Sequence, residues 1–76
     1  MARRRLDTAQ RIATWRKRRR LTLTELAQRT GIRLPALSLM ENRKQAIRVD
    51  QLERIAGALG LSMFEFYNDE LLQGAA

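Results

Sequence analysis

Basic side chains are concentrated in short segments of this chain. Positions 16–20 read RKRRR, and an arginine triplet stands at positions 3–5. Guanidinium and ammonium groups bind phosphate oxygens, so such blocks favour a polyanionic partner. Residues 1–48 hold 14 lysines and arginines against three acids, whereas residues 49–76 hold one arginine and five acids. We therefore expect one face for a polyanion and another for a different contact; the alternative is that the arginines only keep a small protein soluble.

Side chains suited to catalysis are scarce. The chain has no cysteine and no histidine, which removes thiol chemistry and the commonest general base and metal ligand. The acidic residues form no catalytic constellation, so we expect no enzyme activity, no cofactor and no metal. The apolar runs are too short to span a bilayer. We expect a cytoplasmic, nucleoid-associated protein with neither a membrane nor a small-molecule partner.

Apolar residues recur at helical spacing, which predicts an all-α fold of five helices without strands. Two capping boxes, Thr22 with Glu25 and Ser62 with Glu65, mark helix starts, and Gly31 and Gly60 mark helix ends. Seventy-six residues form one domain, here residues 7–73 between a basic mobile arm at 1–6 and a disordered tail at 74–76. The predicted helices cover about 8–19, 23–30, 34–42, 49–59 and 63–72.

The inner faces of these helices supply the predicted core. Trp15 continues the stripe of helix 1, so we assign it to the core rather than to base stacking. Ile32 is expected to pin the turn after helix 2. The remaining inward positions are Ala9, Ile12, Leu23, Leu26, Ala27, Leu37, Met40, Val49, Leu52, Ile55, Ala56 and Leu59.

The motifs occur in an ordered set: Ile12 and Arg16, LTLTELAQRTGI at 21–32, Leu37 with Met40 and Glu41, and LERIAGALGLSMFEF at 52–66. This set resembles the Cro/phage-repressor-like helix-turn-helix family, also called the Xre family, over about residues 8–67. The resemblance implies a compact, lambda-repressor-like domain of five helices, with the helix-turn-helix at helices 2 and 3. It further implies that helix 3 enters the major groove of double-stranded DNA, and that a homodimer binds a pseudo-palindromic operator. It also implies an ion pair between Arg16 and Glu41.

Base identity is expected to be read near the start of helix 3. The family often has hydrogen-bonding residues there, whereas this chain has leucine and proline, which can only contact thymine methyl groups or shape the approach. Arg33 is either a guanine reader, or else a phosphate contact or a solvent-facing residue. Leu39 either touches methyl groups or borders the core. The candidate base-reading residues are Arg33, Leu34, Pro35, Ser38 and Leu39.

Phosphate contacts are implied at the start of helix 2 and after helix 3. The first position of helix 2, usually polar in the family, is Leu23 here, and the basic block is expected to replace that contact. Arg20 stands where the family often has glycine, so that turn is expected to be either strained or differently bent. Arg3 to Arg5 form either a minor-groove arm or diffuse contacts. The candidate phosphate contacts are Lys17, Arg18, Arg19, Arg20, Thr24, Asn42, Arg43, Lys44 and Arg48.

The acidic C-terminal end carries more apolar area than one short helix can bury. Phe66 and Tyr67 match core positions of the family, whereas Phe64 matches a polar one and is expected to face outward. Such a surface rimmed by acids favours self-association. The expected dimer interface comprises Phe64, Tyr67, Leu71 and Leu72.

These features together predict a sequence-specific transcriptional regulator, acting as a repressor that occludes a promoter. Two alternatives remain open. One is a protein-interaction adaptor of the same fold, which bridges partners to the transcription machinery. The other is a non-specific nucleic-acid binder that depends on arginine charge.

Overall fold

Residues 6–73 are the part of the chain that the computed structural model describes, and they form six α-helices joined by short turns and loops. Within this range no strand occurs, and the predicted all-α fold is confirmed. The arginine arm at 3–5 and the tail at 74–76 lie outside the described residues. The helices are α1 (Thr8–Arg18), α2 (Leu23–Thr30), α3 (Leu34–Glu41), α4 (Val49–Ala58), α5 (Met63–Phe66) and α6 (Asp69–Gln73).

Side-chain caps fix where these helices begin. The Asp7 side chain accepts from the Gln10 amide and caps α1. Thr22 with Glu25 and Ser62 with Glu65 form the two predicted capping boxes at α2 and α5. Each box satisfies two backbone N–H groups that a helix leaves unpaired. Local sequence therefore sets these three helix starts.

The prediction of one helix over residues 63–72 is wrong, because the chain breaks after Phe66 into α5 and α6. Tyr67 ends α5, and its amide donates to the Met63 carbonyl. Asn68 then starts α6, since its side-chain oxygen accepts from the amides of Glu70 and Leu71. Asparagine favours helix starts over helix interiors for this reason.

One hydrophobic core joins all six helices. Ile12, Leu26, Leu37, Ile55 and Phe66 are fully buried in it. The Trp15 indole is also buried, and its Nε1 donates to the Phe66 carbonyl at 3.0 Å. Trp15 is thus a core residue that ties α1 to α5.

Two residues expected in the core are exposed. Val49 is 71% exposed; it is the first residue of α4, where side chains tilt towards the helix N-terminus and beyond the packed face. Tyr67 is also exposed, because it lies at the break between α5 and α6. The described helices include none with the length and apolar character needed to cross a membrane.

Candidate nucleic-acid interface

A rigid turn of three residues joins α2 to α3. Gly31 has a φ of +75°, the left-handed conformation that favours glycine, and its amide donates to the Ala27 carbonyl. The Thr30 hydroxyl donates to the Leu26 carbonyl and accepts from the Ile32 amide at 3.1 Å. Ile32 is buried, as expected. The mutual orientation of α2 and α3 is therefore set by backbone geometry and by the packing of Leu26 and Leu37.

The outer face of α3 carries the predicted base-reading residues. Leu34 and Leu39 are each 41% exposed, while Leu37 and Met40 point into the core. Pro35 is exposed and Ser38 is half-buried. Arg33 is exposed at the N-cap position and makes no capping hydrogen bond with its side chain. All five candidates thus have surface available to a ligand, which leaves their role in base reading a prediction.

Arg16 and Glu41 form the ion pair that the family resemblance implies. Arg16 Nε and Nη2 donate to the two Glu41 oxygens at 2.8 and 3.0 Å, and Nη1 donates to the Leu21 carbonyl at 2.8 Å. The side chains are only 13% and 10% exposed. Hydrogen bonding to Glu41 raises the pKa of Arg16 above its ordinary value. The pair joins α1, the following turn and the end of α3.

Two arginines adopt left-handed backbone conformations at opposite ends of the helix-turn-helix. Arg20, which follows α1, has a φ of 58°, and Arg43, which follows α3, has a φ of 59°. The Arg20 amide donates to the Lys17 carbonyl, and the Leu21 amide to the Arg16 carbonyl, which is the Schellman ending where glycine is usual. Arg43 and Lys44 close α3 in the same way. The strain expected at Arg20 is therefore present.

Other phosphate candidates beside these turns are also exposed, namely Lys17, Thr24, Asn42 and Lys44. Arg43 Nε donates to Asp7 at 2.7 Å, and Arg48 Nε donates to Asp50 at 3.1 Å. The pKa of Asp7 is lowered first by its capping hydrogen bond from Gln10 and then by Arg43. That of Asp50 is lowered chiefly by Arg48. Because these ion pairs are exposed to water, they restrain the two arginines only weakly.

The side chains of the basic block at residues 16–20 do not all lie on one surface. Arg18 donates to the carbonyls of Leu71 and Leu72, and Arg19 Nε donates to the Leu59 carbonyl at 3.0 Å. Both guanidinium groups lie over the Trp15 ring. Arg18 thus ties α1 to α6, and Arg19 ties it to the end of α4. Both side chains are still exposed, so their contact with phosphate stays a prediction, as it does for Lys17 and Arg20.

The expected association surface is smaller than predicted. Phe64 is 78% exposed, and Tyr67 and Leu71 are also exposed. Leu72 is only 1% exposed and belongs to the core cluster, so its assignment to the interface is wrong. The break at Asn68 explains the difference, because it reorients α6 and turns Leu72 inward.

Arg11 is a buried residue that the sequence analysis missed. Its Nη1 donates to Asp69 and its Nη2 donates to the Leu6 carbonyl at 3.0 Å, while the guanidinium lies 5.3 Å from the centre of the Tyr67 ring. Arg11 stands four residues before Trp15, on the edge of the apolar stripe of α1, and this spacing was the available signal. The residue joins α1 to the C-terminal end that carries Tyr67.

The fold and this surface define a helix-turn-helix DNA-binding protein. A family model described as "Helix-turn-helix" matches residues 12–66. The chain belongs to this family, the Cro/C1-type, Xre-like helix-turn-helix proteins, which are DNA-binding regulators. Neither a curated protein nor a solved structure gave a significant match.

Proposed function

We propose that this protein is a transcriptional repressor that binds a pseudo-palindromic operator as a homodimer, with α3 in the major groove. The main support is the outer face of α3, where Leu34, Pro35 and Leu39 stay exposed beside Arg33 in the part of the chain that the structure describes. An α-helix fits the major groove, and side chains near its start reach base edges. The basic residues that flank this face suit the adjacent phosphates.

In this proposal Arg33 carries much of the hydrogen-bonding readout. A guanidinium can donate to guanine O6 and N7 together, which is worth about 1–3 kcal/mol of discrimination. The exposed N-cap position leaves the Arg33 side chain able to reach the groove floor. Ser38 supplies a second polar group on the same face.

Selection of binding sites from random duplexes at physiological salt tests sequence specificity. The expected product is a palindrome whose half-sites lie about 10 base pairs apart. Arg33→Ala should relax one position in each half-site, whereas Arg54→Ala, which removes the same charge from the exposed side of α4, should leave the consensus unchanged. An unenriched pool with binding that disappears as salt rises contradicts the proposal and favours a non-specific binder.

Among the candidate phosphate contacts, Arg20 is tested most directly, by measuring how its substitution changes the salt dependence of DNA binding. Each neutralised phosphate contributes about 0.9 to the slope of log K against log salt concentration. Arg20→Ala should therefore reduce the slope by about 0.9 per subunit and weaken all duplexes alike. An unchanged slope removes Arg20 from the phosphate contacts but leaves the sequence readout of α3 intact.

Dimerisation is proposed through Phe64, Tyr67 and Leu71. Their exposed apolar area lies beside Asp69 and Glu70, whose negative charge disfavours contact with DNA at this end. Phe64→Asp should shift sedimentation towards the monomer and weaken operator binding. Val49→Asp introduces the same charge at a similarly exposed apolar site on α4 and serves as the control. Equal sedimentation of the parent and Phe64→Asp argues against this interface.

A reporter gene with the selected site overlapping its promoter tests repression. The 76-residue chain should lower transcription, and moving the site well upstream should abolish the effect, because occlusion needs overlap.

The apolar face of α3 also favours a second candidate function, that of an adaptor that binds a protein partner through this face. If no duplex is enriched and no DNA is bound even at low salt, the adaptor is supported.

A further inference from the structure

The solvent face of α3 is mainly apolar. Leu34, Pro35, Ser38 and Leu39 occupy positions i, i+1, i+4 and i+5, which share one side of a helix. The two leucines are exposed to the same degree, and the Ser38 hydroxyl is the polar side-chain group among the four. The opposite side of the same helix already supplies Leu37 and Met40 to the core. The fold therefore leaves a substantial part of each leucine side chain uncovered.

Positive charge borders this apolar strip. Arg33 precedes α3, Arg43 and Lys44 follow it, and Arg20 lies at the turn before α2. A second copy of the same face would bring like charges together, which disfavours a self-contact here. A polyanion that presents apolar groups between two rows of charge fits better. The major groove of DNA is such a surface, and its apolar group is the C5-methyl of thymine.

We propose that Leu34, Pro35 and Leu39 recognise pyrimidine C5-methyl groups, so that the operator is specified largely by thymine methyls in each half-site. This inference rests on the proposed function, because it requires α3 to lie in the major groove. Arg33 and Ser38 supply hydrogen bonds at the remaining base edges. Methyl contact explains why a recognition helix has leucine and proline at positions that hydrogen-bonding residues can occupy.

Uracil substitution tests the methyl contacts directly. Deoxyuridine pairs like thymidine and lacks only the C5-methyl, so each thymine of the selected operator is replaced in turn. Burial of one methyl group corresponds to about 0.8 kcal/mol, or about a fourfold change in affinity. We expect about a fourfold loss at two or more thymines per half-site. Parent affinity at every uracil position overturns the inference.

Paired variants assign each methyl group to a side chain. Leu34→Ala and Leu39→Ala should each weaken binding to the parent operator, and each should lose sensitivity to uracil at one thymine while keeping it at the others. Val49→Ala, which trims an exposed apolar residue of α4, should keep the whole uracil profile. If both leucine variants keep that profile too, the methyl groups are not read by these residues.

Modified cytosine gives an independent measurement. A T·A pair that is sensitive to uracil is replaced by C·G and then by 5-methylcytosine·G, which restores the methyl without restoring the thymine hydrogen-bonding pattern. We expect 5-methylcytosine to bind about fourfold more tightly than cytosine at that position. Equal affinities contradict methyl recognition. A selection that enriches no sequence at all instead refutes the proposed function, so the two failures are distinguishable.

Discussion

Removing one partner of the ion pair of Arg16 and Glu41 is expected to destabilise the fold strongly, because both side chains are largely buried. Arg16→Met leaves the Glu41 carboxylate without its two charge-assisted hydrogen bonds, and Glu41→Met leaves the guanidinium with the Leu21 carbonyl alone. Such bonds contribute about 1.5–3 kcal/mol each. Breaking a fully buried pair costs about 3–5 kcal/mol. Because water still reaches both side chains, we expect each single variant to lose about 2–4 kcal/mol.

Urea denaturation followed by fluorescence of the buried Trp15 measures this loss. A domain of this size has a total stability of about 4–11 kcal/mol at 0.05–0.15 kcal/mol per residue. Each single variant should therefore unfold at much lower urea with an unchanged m-value. In thermal melts the midpoint should fall by at least about 10 °C.

The double variant separates a lost interaction from a stranded charge. With both residues changed to methionine no unpaired charge remains, so the double variant should be at least about 1.5 kcal/mol more stable than the sum of the single losses predicts. Arg48→Met breaks an exposed ion pair with Asp50 and should cost far less than either single variant of the buried pair. Additive single losses, or single losses no larger than that of Arg48→Met, would refute the reasoning.

Three further predictions concern the turns, the core and the caps. Arg20→Gly should raise the unfolding free energy by about 0.5–1 kcal/mol in urea titrations, because its φ of 58° strains any side chain; a destabilised variant contradicts this. Leu72→Ala should lose about 2–5 kcal/mol equally at low and high protein concentration, as expected of a core residue; a loss seen only in the dimer would point to an interface. The pKa values of Glu25 and Glu65 lie below their ordinary 4.5, chiefly through hydrogen bonds from the Thr22 and Ser62 backbones. The two carboxylates stabilise the fold fully above pH 4.5, and this stabilisation is lost as the pH falls through their lowered pKa values. The urea midpoint should therefore decline in acid. Changing both to glutamine should make that decline shallower, and an identical acid profile would exclude these caps as its source.

Local signals in the sequence identified most of the fold. The starts of α1, α2 and α5 depend on side chains within three residues of each cap, so they could be located without a structure. Apolar periodicity likewise identified the buried apolar residues of α1 to α4. It wrongly included the exposed Val49, and it missed the buried polar residues Arg11 and Thr30. Leu23 and Ala27, expected in the core, are only half-buried. The break at Asn68 was missed because asparagine inside a short apolar segment does not by itself distinguish a helix interior from a new N-cap.

The candidate interface, like the fold, could be predicted only in part from the sequence. The face of α3 that carries Leu34 and Leu39 follows from their spacing relative to Leu37 and Met40. The sequence did not show which side chains of the basic block are free of other contacts. Arg18 and Arg19 donate hydrogen bonds to carbonyls more than 35 residues away in sequence. A run of arginines indicates charge but not the direction in which each guanidinium points.

The sequence by itself determined the all-α class, the helix-turn-helix and the family, since these rest on caps, turns and periodicity that act over a few residues. The tertiary structure decided the rest. Packing against distant segments buried Arg11 beside Asp69, turned Leu72 into the core and joined Arg18 to the C-terminal helix. Burial and ion pairing are properties of the assembled fold, because they depend on which surfaces meet after the helices have formed.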